Sequence, residues 1–202
     1  MNDNPLIQLF LNFPVGLQAV LGLWLIMLIV RLLDWVIFRN RMGGRYGLYS
    51  MRSNHRNSIF AWIVHPFIHG SWGHFGGNSI PFLILGTIIA LPSMLEFLTA
   101  TLIILFILNL GVWFFEVRDF PTVGASGLIT GYFGFILLRG FFARDAQEVI
   151  IALVVLAFYY SLFRIIFRPQ GGNVSNVGHF WGFIGGVLAA WVWPLISQQF
   201  LV

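Results

Sequence analysis

Six long apolar runs dominate the chain, at roughly 15–38, 74–91, 94–115, 125–142, 146–167 and 178–196. Each is close to the ~20 residues that an α-helix needs to cross a hydrocarbon layer about 30 Å thick. Most of the polar breaks between them are short: Pro92, then "EVRDFP", "RGFFARD" and "RPQGGNVSN". The exception is 39–73. It begins with "RNRMGGRYGLYSMRSNHRNS", which holds five arginines, and turns amphipathic through "IFAWIVHPFIHGSWG". Loops of that size are functional or disordered rather than plain connectors, and the aromatic, amphipathic half predicts an ordered element lying at the membrane interface. The pattern therefore predicts an all-α integral membrane protein of six transmembrane helices, with an interfacial loop between helices 1 and 2. An N-terminal tail (1–14) and a C-terminal tail (197–202) flank a single core, 15–196.

Composition supports this reading. Charged residues make up 9% of the chain and hydrophobic ones 58%, whereas a soluble domain carries about 25% charged residues. The absence of cysteine excludes disulfides, thiol nucleophiles and cysteine metal sites. The net charge of +4 comes from arginines placed between the apolar runs, with no lysine. They form no basic face of the kind nucleic acid requires, so no nucleic-acid partner is expected. The segment "MNDNPLIQLF" lacks a basic n-region, so the first apolar run is expected as a retained helix, not a cleaved leader. With the N-terminus inside, Arg139 and Arg144 fall in inside loops. Arginines 39, 41, 45, 52, 56, 118, 164 and 168 fall outside, the reverse of the positive-inside preference.

Polar side chains within apolar runs are costly and point to function. His65, His69, His74, His179 and Asn78 stand out in this respect. His74 and Asn78 are four apart and share a helix face, so two donors aimed at one point suit an anion. Ser126 sits in "GASGLITG", with Gly127 and Gly131; His179 sits in "GHFWGFIGG", with Gly178, Gly182 and Gly186. Glycine at every fourth residue lets two membrane helices approach closely. If those rows pack together, the imidazole can accept the hydroxyl proton, as a serine nucleophile requires. Ser126 alone also suits helix packing, and His65, His69 and His74 also suit a metal. A histidine-lined transporter is thus a further reading. Glu116 and Asp119, at a helix end, are expected as solvated loop charges.

Taken in order on successive helices, "HPFIHGSWGHFGGN", "GASG" and "GHFWGFIGG" resemble the rhomboid intramembrane serine proteases across roughly 15–196. The resemblance implies a six-helix rhomboid-type bundle in which Ser126 is the nucleophile and His179 the general base, without a carboxylate. It implies an oxyanion site from His74, Asn78 and the Ser126 backbone N–H. His65, His69, Gly124, Gly127, Gly178 and Gly182 would be structural, with no metal and no cofactor. Implied partners are the lipid bilayer and transmembrane protein substrates. A substrate helix keeps its backbone bonds internal, so it must unwind, and substrates with Gly or Pro near the cut and a small residue just before it are expected. The implied location is the plasma membrane of a prokaryote, with the site opening to the extracytoplasmic side. Four positions depart from the family pattern: Phe60 and Ala61 replace a Trp-Arg pair, Thr130 replaces a tyrosine that stacks on the base, and Gly178 replaces an alanine. An inactive relative that binds membrane proteins or serves quality control is the alternative.

Overall fold

The computed structural model describes residues 10, 12–55, 59–167 and 174–198. The helices are α1 (Val15–Val36), α2 (Met42–Tyr46), α3 (Ile59–Val64), α4 (Trp72–Ala90), α5 (Met94–Phe115), α6 (Ser126–Ala143), α7 (Ala146–Phe167) and α8 (Asn176–Ser197). A short 3₁₀ turn, His65–Phe67, follows α3. Six of the helices, α1 and α4 to α8, are long and apolar enough to span a membrane. The chain is a multi-pass integral membrane protein, and among the described residues it contains no β-strand beyond one isolated bridge.

Helix ends follow local chemistry. α1 stops at Val36, two residues short of the apolar run, because Arg39 and Asn40 take left-handed backbone with φ of 52° and 61°. Serine hydroxyls accept from the free N–H groups of the first turn at three helix starts: Ser71 from His74, Ser93 from Glu96 and Ser175 from Gly178. Capping by Ser71 starts α4 at Trp72, two residues before the apolar run does. α6 ends where Arg144 adopts the left-handed conformation (φ 56°). α7 is kinked at Tyr159, whose φ and ψ are −111° and 23°.

α6 is the most buried span and α1 and α7 the least. Its side chains Tyr132, Phe133, Phe135 and Ile136 form the middle of the core with Phe82, Phe97 and Ile104. Leu102, Phe106, Phe158 and Trp191 remain exposed, which in a bilayer is contact with lipid. At the face where α6 ends, Arg139 joins Glu96 at 2.8 Å and Glu148 at 3.3 Å, tying together the ends of α5, α6 and α7.

On the opposite face, the 37–71 segment is ordered wherever it is described. Leu48 and Thr122 exchange backbone hydrogen bonds of 3.0 and 2.8 Å, fixing the loop to the segment before α6. With Phe60 exposed and stacked edge-on against Tyr46, the anchoring comes instead from Arg31 of α1. Its guanidinium, 3% exposed, donates to the His69 carbonyl at 3.2 Å and to Asn40 Oδ1 at 2.7 Å.

Candidate active site

Short connections make successive spans cross in alternate directions, so α4, α6 and α8 all begin on the face that carries the loop. Ser126 is the first residue of α6, His179 lies in the first turn of α8, and His74 lies in the first turn of α4. The glycine rows bring the first two together. A Cβ on Gly182 would collide with the Gly127 carbonyl oxygen, and one on Gly186 with the Gly131 carbonyl oxygen. Backbone therefore rests on backbone along α6 and α8, as the four-residue spacing requires. In this arrangement His179 Nε2 lies 2.9 Å from Ser126 Oγ. An imidazole nitrogen at that distance can take the hydroxyl proton. The tautomer that does so carries its own proton on Nδ1, which is buried and has no hydrogen-bond partner among the described residues.

His74 and Asn78 converge on Gly124. A Cβ there would lie 2.6 Å from His74 Nε2 and 3.2 Å from Asn78 Nδ2, and the backbone has φ of 98°. Only glycine meets both demands. The Asn78 amide nitrogen is buried and has no partner among the described residues, which is costly for a polar group away from water. Two cavities meet here. One of about 310 Å³ is lined by His74, Thr122, Ser126, Ser175 and His179 among others. The other, of about 250 Å³, extends between α4 and α7 past Asn78, Pro81, Leu162 and Ile165.

The two loop histidines are braces. His65 Nε2 donates to Asn109 Oδ1 at 2.8 Å, the Asn109 amide donates to the Trp62 carbonyl at 2.8 Å, and the His65 carbonyl accepts from Gly124 N–H at 2.9 Å. His69 uses Nδ1–H to donate to the Phe67 carbonyl at 3.2 Å and Nε2 to accept from Ala125 N–H at 3.5 Å. The grouping of three metal-ligating side chains that a metal site would need does not form among the described residues. Burial pushes both imidazoles down to about 4 from the ordinary 6.5. Both are therefore neutral when folded. Unfolding restores their ordinary affinity for protons, so their contribution to stability is whole above pH 6.5 and is lost as pH falls towards 4. The loss is on the order of 3 kcal/mol per histidine. The thermal midpoint in detergent is expected to be flat above about pH 6.5 and to drop steadily below it, with a shallower drop in His65→Gln. A midpoint constant between about pH 7 and 4.5 would contradict this assignment.

Thr130, at the place of the expected tyrosine, takes a different role. Its hydroxyl lies 2.9 Å from the carbonyl oxygens of both Gly127 and His179. It thus links α6 to the backbone of the histidine instead of stacking on its ring. Tyr132 points away, towards Phe82 and Phe97, with its hydroxyl 2.9 Å from Thr101 Oγ1.

Glu116 corrects the sequence reading. It is 1% exposed, not solvated, whereas Asp119 is exposed and bonds the Ser53 hydroxyl. Glu116 accepts from Ser175 Oγ at 2.9 Å and from Arg118 Nε at 3.0 Å, and Arg118 also donates to the Val174 carbonyl at 2.8 Å. Burial alone would raise its carboxyl, but the hydrogen bonds from Arg118 and Ser175 outweigh it and hold the group below the ordinary carboxylate range. This clasp fixes the start of α8, and with it the turn that carries His179. Two signals could have exposed this support: Asn109 as a polar residue inside an apolar run, and Ser175 three residues before Gly178 as a helix cap.

Comparison with known proteins shows the family of this chain. The sequence profile of the Rhomboid domain matches residues 56–195. The uncharacterized protein Mb1372 of Mycobacterium bovis is 32% identical over 189 residues, covering 90% of this chain and 76% of that protein. The uncharacterized protein Rv1337 of Mycobacterium tuberculosis gives the same figures, 32%, 90% and 76%. The uncharacterized protein ML1171 of Mycobacterium leprae is 33% identical over 133 residues, covering 63% of this chain and 53% of that protein. With more than half of its length matched and the glycine-packed helices in place, the chain belongs to the rhomboid family of intramembrane proteases.

Proposed function

We propose that the protein is an intramembrane serine endopeptidase that cleaves transmembrane segments of other membrane proteins, with 15–196 as its catalytic core. The observation that carries this reading is the 2.9 Å contact of His179 Nε2 with Ser126 Oγ at the meeting point of two cavities. Ser126 Oγ attacks the scissile carbonyl carbon while its proton passes to His179 Nε2. The carbonyl oxygen becomes an oxyanion beside Gly124, held by His74, by Asn78 Nδ2 and by the Ser126 N–H. As the first residue of α6, Ser126 has no intrahelical acceptor for that N–H. The tetrahedral intermediate collapses as His179 returns the proton to the leaving amine. A water then repeats the sequence on the acyl-serine and releases the acid, with His179 taking and returning the water's proton.

Electrostatics favour this order of events. α4, α6 and α8 all aim their N-termini at the site, and each N-terminus carries about half a positive charge. Three such ends in a water-poor site stabilise an oxyanion that exists only during reaction. The cavity between α4 and α7 gives an unwound substrate strand a route to Ser126 from the lipid side.

A fluorophosphonate probe tests the dyad. The full-length protein in detergent is expected to label at one site, and both Ser126→Ala and His179→Ala are expected to lose labelling while keeping the wild-type thermal midpoint. A folded wild type that does not label, or persistent labelling of Ser126→Ala, would sink the proposal.

A further inference from the structure

Outside the catalytic cavities, the junction of α1 and α2 carries an unused feature. Arg39, Arg41 and Arg45 line one open concavity of about 700 Å³, together with Ile37, Phe38 and Gly44. All three arginines are exposed. Among the described residues none of them forms an ion pair, because the carboxylates of this face are engaged elsewhere: Asp34 with Arg31, Glu116 with Arg118, and Asp119 with Ser53. The concavity therefore gathers three positive charges and, among the described residues, no compensating negative one.

The turn that presents them is held in a disfavoured shape. Arg39 and Asn40 are consecutive non-glycine residues with left-handed backbone, a conformation that persists only where surrounding structure enforces it. Here a buried bracket enforces it. Asn40 N–H donates to the Asp34 carbonyl at 2.8 Å, Met42 N–H donates to Asp34 Oδ1 at 3.0 Å, and Arg31 holds the Asn40 side chain. The Asn40 side chain is thereby tied to Arg31, and Arg39 and Arg41 are left on the open side with Arg45. Behind this platform, Gly47 packs so tightly that a Cβ would clash with Pro121 and with the Gly43 carbonyl oxygen.

The last turn of α1 supplies the apolar half. Trp35, Val36 and Ile37 are 53%, 67% and 63% exposed, and the Trp35 and Trp72 rings meet edge-on at 5.9 Å. Tryptophans mark the level of the headgroups in membrane proteins. Guanidinium groups bind phosphate oxygens through paired N–H donors. Positive charge just beyond an exposed apolar helix end matches a phosphodiester attached to acyl chains, and a free phosphate would leave the apolar half unused.

We propose that Arg39, Arg41 and Arg45 form a binding site for the phosphate group of an anionic phospholipid, whose acyl chains lie along the end of α1. The site is independent of the protease reading, and Ser126→Ala is expected to bind lipid as the wild type does.

Native mass spectrometry of the full-length protein in detergent, titrated with phosphatidylglycerol or phosphatidylcholine of identical chains, tests this. One phosphatidylglycerol is expected to be held roughly a hundredfold more tightly than phosphatidylcholine, from three arginines each worth about fivefold. The triple variant Arg39→Gln, Arg41→Gln, Arg45→Gln should fall to the phosphatidylcholine level. Arg144→Gln on the opposite face and Arg164→Gln on the same face should change nothing. Should the triple variant fail to fold, each single substitution is expected to weaken binding by about fivefold. Equal retention of the two lipids by the wild type, or unchanged phosphatidylglycerol binding in the variants, overturns the proposal. Complete displacement of the lipid by inorganic phosphate would make this a free-anion site and overturn the lipid assignment.

Discussion

His74→Ala combined with Asn78→Leu is expected to lower kcat for a transmembrane substrate by about 10²–10³-fold while leaving KM nearly unchanged. The two side chains border the position beside Gly124, with Nε2 and Nδ2 lying 2.6 and 3.2 Å from where an added Cβ would stand. Neither group is expected to contact the intact substrate helix, so their loss is felt only once negative charge develops. Stability should move the other way. Asn78 Nδ2 is buried without a partner among the described residues, so replacing the amide by a hydrocarbon of similar size relieves a desolvation penalty of about 1–3 kcal/mol. Asn78→Leu alone is therefore predicted to raise the thermal midpoint while it slows turnover. The measurements are steady-state cleavage in proteoliposomes and thermal unfolding in detergent. Turnover close to wild type in the double variant would remove both residues from the oxyanion site.

Gly186→Val is expected to separate α6 from α8 and to abolish both fluorophosphonate labelling and substrate cleavage. A Cβ at this position runs into the Gly131 carbonyl oxygen and would also lie 2.7 Å from its carbon and 2.8 Å from Phe135 N. These are backbone atoms of the most buried helix, which cannot swing aside as a side chain would. Relief must come from moving one helix away from the other, and the 2.9 Å contact of Ser126 with His179 spans that same interface. Overpacking of this kind costs about 1–3 kcal/mol or more, and a shift near 1 Å at the reacting groups can cost about a hundredfold in rate. Gly182→Val should behave alike, since its Cβ meets the Gly127 carbonyl oxygen next to Ser126. Gly22→Ala in α1, where no atom lies within 4 Å of the new Cβ, is the matched control and should leave activity and midpoint intact. Wild-type labelling of Gly186→Val would show that close approach of these helices is not what sets the site.

Much of this was open to a reader of the sequence because the bilayer imposes strong rules. An apolar run of some twenty residues has little choice but to be a helix, and the six spans differ from the hydropathy pattern by only a residue or two at most ends. Glycine repeats at helical spacing need a partner helix to explain them, so the pairing of α6 with α8, and hence of Ser126 with His179, could be read before the fold was known. His74 and Asn78 were legible for the same reason, as polar residues one turn apart in a setting that penalises them.

Contacts across loops and between distant turns were not legible. A carboxylate in "EVRDFP" looks solvated, because nothing local says that Ser175 and Arg118 will close over Glu116. Asn109 is one polar residue in a long apolar run until His65 is found opposite it. Thr130 looked like the loss of a support until its hydroxyl was found against the His179 carbonyl. The arginines of the first loop likewise looked like scattered charges; only the left-handed turn after α1 gathers three of them around one concavity. Periodicity and transfer free energy act along the chain, so the sequence by itself determined the number of spans, the helix pair with the closest contact and the meeting of Ser126 with His179. Burial of a charge and convergence of hydrogen-bond donors depend on which distant segments come together, so those were decided only by the tertiary structure.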